Sequence, residues 1–148
     1  MPKLEPRNPD FARDLLSVAG HMPIVRFLGV RALALEPGEV RLEIPYRDEL
    51  AFVPGTLQAG PIGTLIDIAA GWAAATLLPA GWGNATVDFS VKVFAPPIGS
   101  SFVAHATVLS AGRTLSVAEA RVFSVNSGVQ TLCASGLVTV RNYPVAAG

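Results

Sequence analysis

The stretch GTLIDIAAGWAAATLLP, residues 63–79, decides how this chain is read. Asp67 is the only formal charge between Ala51 and Ala85. A carboxylate in such apolar company either costs roughly several kcal/mol in desolvation or performs a task that needs a weakly solvated charge. Pro61 suits a first helical position, Gly60 or Gln58 can begin the helix, and Pro79 with Gly81 ends it. On that helix Gly63, Asp67, Ala70, Gly71 and Ala74 share one face of small residues, able to lie close against a sheet. Ile62, Leu65, Ile66, Ile68, Trp72, Leu77 and Leu78 cover the other directions, so the helix is expected to be surrounded by protein. An Asp that merely caps a turn, or pairs with a distant Lys or Arg, is the plainer alternative for Asp67.

Working outward, Asp10 to Gly20 carries Phe11, Leu15, Val18 and Ala19 at helical spacing, with Asp10 as N-cap. Two strands are expected over Phe27–Glu36 and Glu39–Tyr46, joined at Pro37-Gly38; Val40, Leu42 and Ile44 alternate with Arg41 and Glu43. Beyond the helix, Thr86–Phe94 places Val87, Phe89, Val91 and Val93 on one side and Thr86, Asp88, Ser90 and Lys92 on the other. Phe102–Leu109, Thr114–Val125 and Val129–Arg141 continue as strands, with turns at Ala111-Gly112 and Asn126-Ser127-Gly128. A leading helix, two strands, one long apolar helix and an antiparallel run define an α+β arrangement with the helix against one face of a curved sheet.

The 148 residues suit one domain, with a leading helix at about 10–20 and a core from about 27 to 141. An apolar share of 51% with only 15% charged residues implies that some apolar surface is covered by another subunit. The run after Asp67 is too short to span a bilayer, which takes about 20 residues. The N-terminal MPKLEPRNPDFARDLL lacks the continuous apolar segment of a secretory signal, so a cytoplasmic protein is expected. Zero net charge with no basic run argues against nucleic acid. Cys133 stands alone in an apolar strand, where burial is the expected role. His21 ends the leading helix and His105 lies in a strand opposite small apolar residues, so neither is a catalytic candidate, and no cluster has metal-ligand spacing.

The segment Gly55-Thr56-Leu57-Gln58-Ala59-Gly60, then Thr64-Leu65-Ile66-Asp67, then Thr86-Val87-Asp88-Phe89-Ser90-Val91 resembles a hotdog-fold acyl-CoA thioesterase of the phenylacetate-degradation (PaaI-like) type. Ala95-Pro96-Pro97-Ile98-Gly99, Ala111-Gly112-Arg113-Thr114-Leu115 and Leu137-Val138-Thr139-Val140 follow in that family's order, and the likeness runs from about Phe27 to Val140. The family opens its central helix with Gly-x-x-His-Gly-Gly and places a catalytic Asp nine residues after the His; Asp67 lies nine after Gln58. Here Gln58 replaces that His, Ala59 the next Gly, and Phe52 an Asn six positions before Gln58.

The resemblance implies hydrolysis of an acyl-CoA thioester. Asp67 would serve as general base or nucleophile, the Ala59 and Gly60 amides would hold the oxyanion, and Thr86, allowing for a one-residue insertion before it, would orient Asp67 or the water. Gln58 would act by position only, since it cannot titrate, and Phe52 and Gly55 would border the substrate. Arg113 would meet the coenzyme A nucleotide, a solvated turn cation being the alternative. No metal or redox cofactor is implied, coenzyme A entering with the substrate. A helix begun near Pro61 separates Asp67 from the Ala59 and Gly60 amides by about 9 to 11 Å. The family pairs two subunits, which implies a homodimer with shared sites, assembled further into a tetramer. The alternative is a hotdog protein that binds acyl-CoA or a related ligand without hydrolysing it. Phe52 favours that alternative; Asp67 favours the enzyme, because a binding pocket gains nothing obvious from a buried carboxylate.

Overall fold

The chain folds, in a computed structural model that describes residues 4–146, as a six-stranded antiparallel sheet packed on one long helix. The elements are α1 (Phe11–Ala19), α2 (Pro23–Leu28), β1 (Arg31–Glu36), β2 (Glu39–Pro45), a short hairpin of β3 (Ala51–Val53) and β4 (Thr56–Leu57), α3 (Ala59–Ala75), β5 (Trp82–Val93), β6 (Ser101–Ala111), β7 (Leu115–Asn126) and β8 (Val129–Pro144). The large sheet runs in the order β1-β2-β6-β7-β8-β5, so β5 crosses from the helix to the far edge. The expected α+β hotdog arrangement is what forms.

Alternation in β2 buries Val40, Leu42 and Ile44 and leaves Arg41 in water. Phe102, Ala104 and Ala106 on β6, Ala118, Ala120 and Val122 on β7, and Val138 and Val140 on β8 supply the same face. Against it α3 buries Ile62, Gly63, Leu65, Ile66 and every residue from Ile68 to Ala74. The small-residue face behaves as expected: Gly63 lies against Val91 and Phe89 of β5, and Gly71 against Asn84. A close approach of helix and sheet is at Gly136 on β8, where an added Cβ would stand 2.7 Å from Ile66 Cγ2 and 2.8 Å from the Ser90 carbonyl. At the helix C-terminal end, the fully buried Thr76 accepts a 2.7 Å hydrogen bond from the Gly38 amide and donates to the Ala73 carbonyl, tying the β1–β2 turn to α3.

Several local expectations need correction. The residues from Phe27 do not begin a strand: Pro23 starts a short helix and Gly29, at φ 70°, closes it in the left-handed region, so β1 begins only at Arg31. Asp10 makes no side-chain cap; just ahead of the helix Asn8 accepts from the Asp10 amide and donates to Asp14 in the first turn. The central helix starts from Gln58, one of the two expected starts, but it ends at Ala75, four residues short of Pro79, so Leu77 and Leu78 lie beyond it. β5 and β8 run four and three residues past their expected ends, Trp82 pairing with Pro144. His105 faces away from α3, 2.6 Å from Glu39 and paired in register with Arg41 and Arg121, not among small apolar neighbours.

Candidate active site

Asp67 sits midway along α3 and, in the isolated chain, is partly exposed on the wall of a cleft rather than sealed in the core. Thr86 Oγ1 donates a 2.5 Å hydrogen bond to Asp67 Oδ1. Among the described residues Oδ2 has no protein hydrogen-bond partner and remains available to a water or substrate. Beside this pair, Asn84 Nδ2 donates to the Gly71 carbonyl, stitching β5 onto α3 where the helix lacks a side chain.

Strict alternation along β5 would turn Thr86 to the same side as Asp88, away from the helix. A β-bulge between Thr86 and Asp88 changes this: Phe89 pairs with the buried Val138 and Thr86 with the buried Val140, so both face α3 while Val87 is the extra residue. The contact with Asp67 depends on the bulge. Replacing Thr86 by Val should lower kcat on the order of tenfold by removing a hydrogen bond to a charged group, with Ser restoring most of it; a Val variant at wild-type turnover would reduce Thr86 to a packing residue.

At the other end of the helix, Gln58, Ala59 and Gly60 are exposed and Gln58 makes no side-chain cap. The first-turn amides of Ala59 and Gly60 have no intrahelical acceptor and lie where the helix dipole favours an anion. Asp67 is seven to eight residues further on, about 10 to 12 Å along the axis. The structure thus brings Asp67 and Thr86 together but keeps both away from Gln58, Ala59 and Gly60 of the same chain.

The β3–β4 hairpin precedes those amides. Gly55 takes φ 89° at its turn, a conformation costly for other residues, and its amide donates to the Tyr46 hydroxyl, which donates in turn to Asp48. Phe52 projects from this hairpin, 69% exposed, and does not line the Asp67 cleft. Arg113 lies at the C-terminal end of α3, beside Arg7, Leu77 and Trp82 in a separate cleft of about 270 Å³. Cys133 is fully buried, and burial pushes its thiol pKa up, which suits a packing role. Among the described residues no group of three or more His, Cys, Asp or Glu side chains could hold a metal, and no helix is long and apolar enough to cross a membrane.

The cleft beside Asp67 has a volume of about 670 Å³. Trp72 and Trp82, expected from the sequence to border an apolar pocket, do line it. Residues not anticipated there are Asn84, Tyr143 and the apolar face of α1. The spacing of Phe11, Leu15, Val18 and Met22 marks that face in the sequence, but nothing in the sequence says what it covers.

A long helix wrapped by a sheet of this strand order defines a hotdog protein. No family model matches the chain. A protein of Halobacterium salinarum designated a candidate esterase is 36% identical over 118 residues, covering 76% of this chain and 78% of that one. Among solved structures, a thioesterase family protein from Silicibacter pomeroyi superposes with a TM-score of 0.88 at 32% identity, covering 90% of this chain and 98% of that one. The E. coli PaaI protein from the phenylacetic acid degradation operon shares the fold, with a TM-score of 0.77 at 14% identity over 93% of this chain and 95% of that one. The chain belongs to the hotdog thioesterase family, hydrolases acting on thioester bonds, and in fold it is PaaI-like.

Proposed function

We propose that the protein hydrolyses an acyl-CoA thioester, with Asp67 as general base. The observation that carries this reading is the Thr86–Asp67 hydrogen bond at the wall of the 670 Å³ cleft, which fixes one carboxylate oxygen and leaves the other open to a water. Asp67 takes a proton from that water as its oxygen attacks the thioester carbonyl carbon. The carbonyl oxygen becomes an oxyanion facing the Ala59 and Gly60 amides. Collapse breaks the carbon–sulfur bond, and the thiolate recovers the proton from Asp67. Direct attack by Asp67, forming an anhydride that water then cleaves, uses the same residues.

The amides come from a second subunit. One carboxylate cannot reach a carbonyl held about 10 to 12 Å away by its own helix. A second copy is supported by the surface: β5 is an unpaired edge strand of 12 residues carrying exposed Val87, Phe89 and Val93, and Phe52 and Val53 are exposed on the hairpin beside the amides. The expected particle is a dimer with two shared sites, and specific activity should fall as dilution passes the dimer dissociation constant; a monomer retaining full turnover would remove the shared site.

Arg113 stands at the C-terminal end of α3 beside Leu78 and Trp82, and it is given the phosphates of a coenzyme A bound at another subunit's site. Arg113→Ala should then raise KM for acyl-CoA severalfold while kcat changes little, and an unchanged KM would leave Arg113 a solvated turn cation. The test of the whole reading is thiol release from acyl-CoA by wild type and Asp67→Asn.

A further inference from the structure

The leading helix does not pack fully onto the domain. Of its nine residues only Ala19 is buried, and Val18 is 61% exposed although it points toward the protein along with Phe11 and Leu15. Opposite stand Ile68, Trp72 and Ala75 of α3. Two apolar helix faces that would normally close on one another instead border an open cleft. The stand-off is built in at both ends. Before α1, Leu4 packs over the β1–β2 turn at Gly38, and Asn8 holds Asp14 and the Asp10 amide; at its last residue Ala19, and after it at Val25 and Leu28, the chain is buried in the core.

We propose that this space is the acyl chamber of the enzyme, with α1 as its roof, and that it selects medium-length unbranched acyl groups. The inference rests on the thioesterase reading for its orientation, because Asp67 and Thr86 stand at one end of the cleft and Ala75, Leu78 and Trp82 at the other. From Asp67 to Ala75, the last residue of α3, the helix rises about 12 Å, and the cleft continues to Leu78 and Trp82, which accommodates on the order of eight to twelve acyl carbons in a cleft within the usual volume range of ligand sites. Beyond Asn84 the polar side chains on the walls are Tyr143 and the mutually hydrogen-bonded Asn8 and Asp14, and the remainder is apolar, so preference should come mainly from buried apolar surface. Each methylene that enters should raise kcat/KM about fourfold until the far end is reached.

The test is a ladder of straight-chain acyl-CoAs from four to sixteen carbons. It is run on wild type, on Ala75→Phe, which blocks the chamber from α3, and on Val18→Phe, which blocks it from the exposed side of α1 and is tolerated for folding. The expected result is a rise in kcat/KM to an optimum near ten carbons, with the ten-to-four-carbon ratio falling at least tenfold in either variant. Trp72 and Trp82 are the only two tryptophans of the chain and both line the chamber, so intrinsic fluorescence gives a readout free of catalysis. Decanoate should saturate a fluorescence change in wild type and not in the blocked variants. Turnover with no length preference, or a ratio untouched by both substitutions, overturns the chamber and leaves the thioesterase standing. A saturable decanoate response that both blocks abolish, with no thiol release on any substrate, supports the chamber and removes the hydrolytic reading instead. Neither turnover nor a fluorescence change overturns both.

Discussion

Asp67→Asn should lower kcat for thioester hydrolysis at least about a hundredfold, within the range found when a general base is removed. Asn keeps the size of the side chain and an oxygen able to accept from Thr86 Oγ1, so the 2.5 Å contact and the cleft wall persist. What disappears is the ability to take a proton from water, or to attack carbon. The loss should therefore appear in kcat, with little change in KM, because thioester binding depends on the cleft and on the Ala59 and Gly60 amides rather than on a base. Comparison at matched dimer concentration separates this from an assembly defect. Turnover by the Asn variant at the wild-type rate would remove Asp67 from the chemistry. Intact acyl-CoA recovered bound to wild type, with no free thiol, would put the ligand-binding alternative first and make Phe52 and Gln58 the residues that decide it.

Gly136→Val should damage the fold severely, lowering Tm on the order of 10 °C, as expected for about 3 kcal/mol in a domain of this size. The added carbon would lie 2.7 Å from Ile66 Cγ2 and 2.8 Å from the Ser90 carbonyl. The second of these is backbone of the neighbouring strand, so a rotamer change of Ile66 alone cannot relieve the crowding. Either β5 moves off β8 or α3 lifts from the sheet, and either motion separates Thr86 from Asp67. The variant should consequently lose activity together with stability. Gly20→Ala is the control: that glycine has ordinary helical dihedrals and only 3.6 Å neighbours, so Ala there should leave Tm unchanged or raise it slightly. A Gly136→Val protein as stable as wild type would mean that the helix and sheet can separate locally without loss, contrary to the packing described.

Much of the fold was legible because it rests on local patterns. The apolar run from Gly63 reads as a buried helix, which ends at Ala75 rather than at Pro79, and its glycines and alanines mark the face that meets β5. Alternation in Val40–Leu42–Ile44 places β2 without reference to the rest of the chain. The second helix went unread although its signals were present, Pro23 at the start and Gly29 at the end, because the apolar Phe27-Leu28-Gly29-Val30 run also suits a strand. Of the site, Asp67 is conspicuous as a lone charge, and Thr86 was reached only through the family resemblance, since alternation alone pointed it the wrong way.

The sequence by itself determined a long central helix, an antiparallel sheet to wrap it and a single carboxylate at mid-helix, because each follows from side-chain periodicity and the cost of isolating a charge. Tertiary structure alone decided which way Thr86 faces, that Asp67 opens on a cleft and that α1 roofs that cleft. A bulge depends on the register between two strands, and a cleft depends on how closely two helices far apart in the chain approach. Neither distance is encoded in any local run of residues.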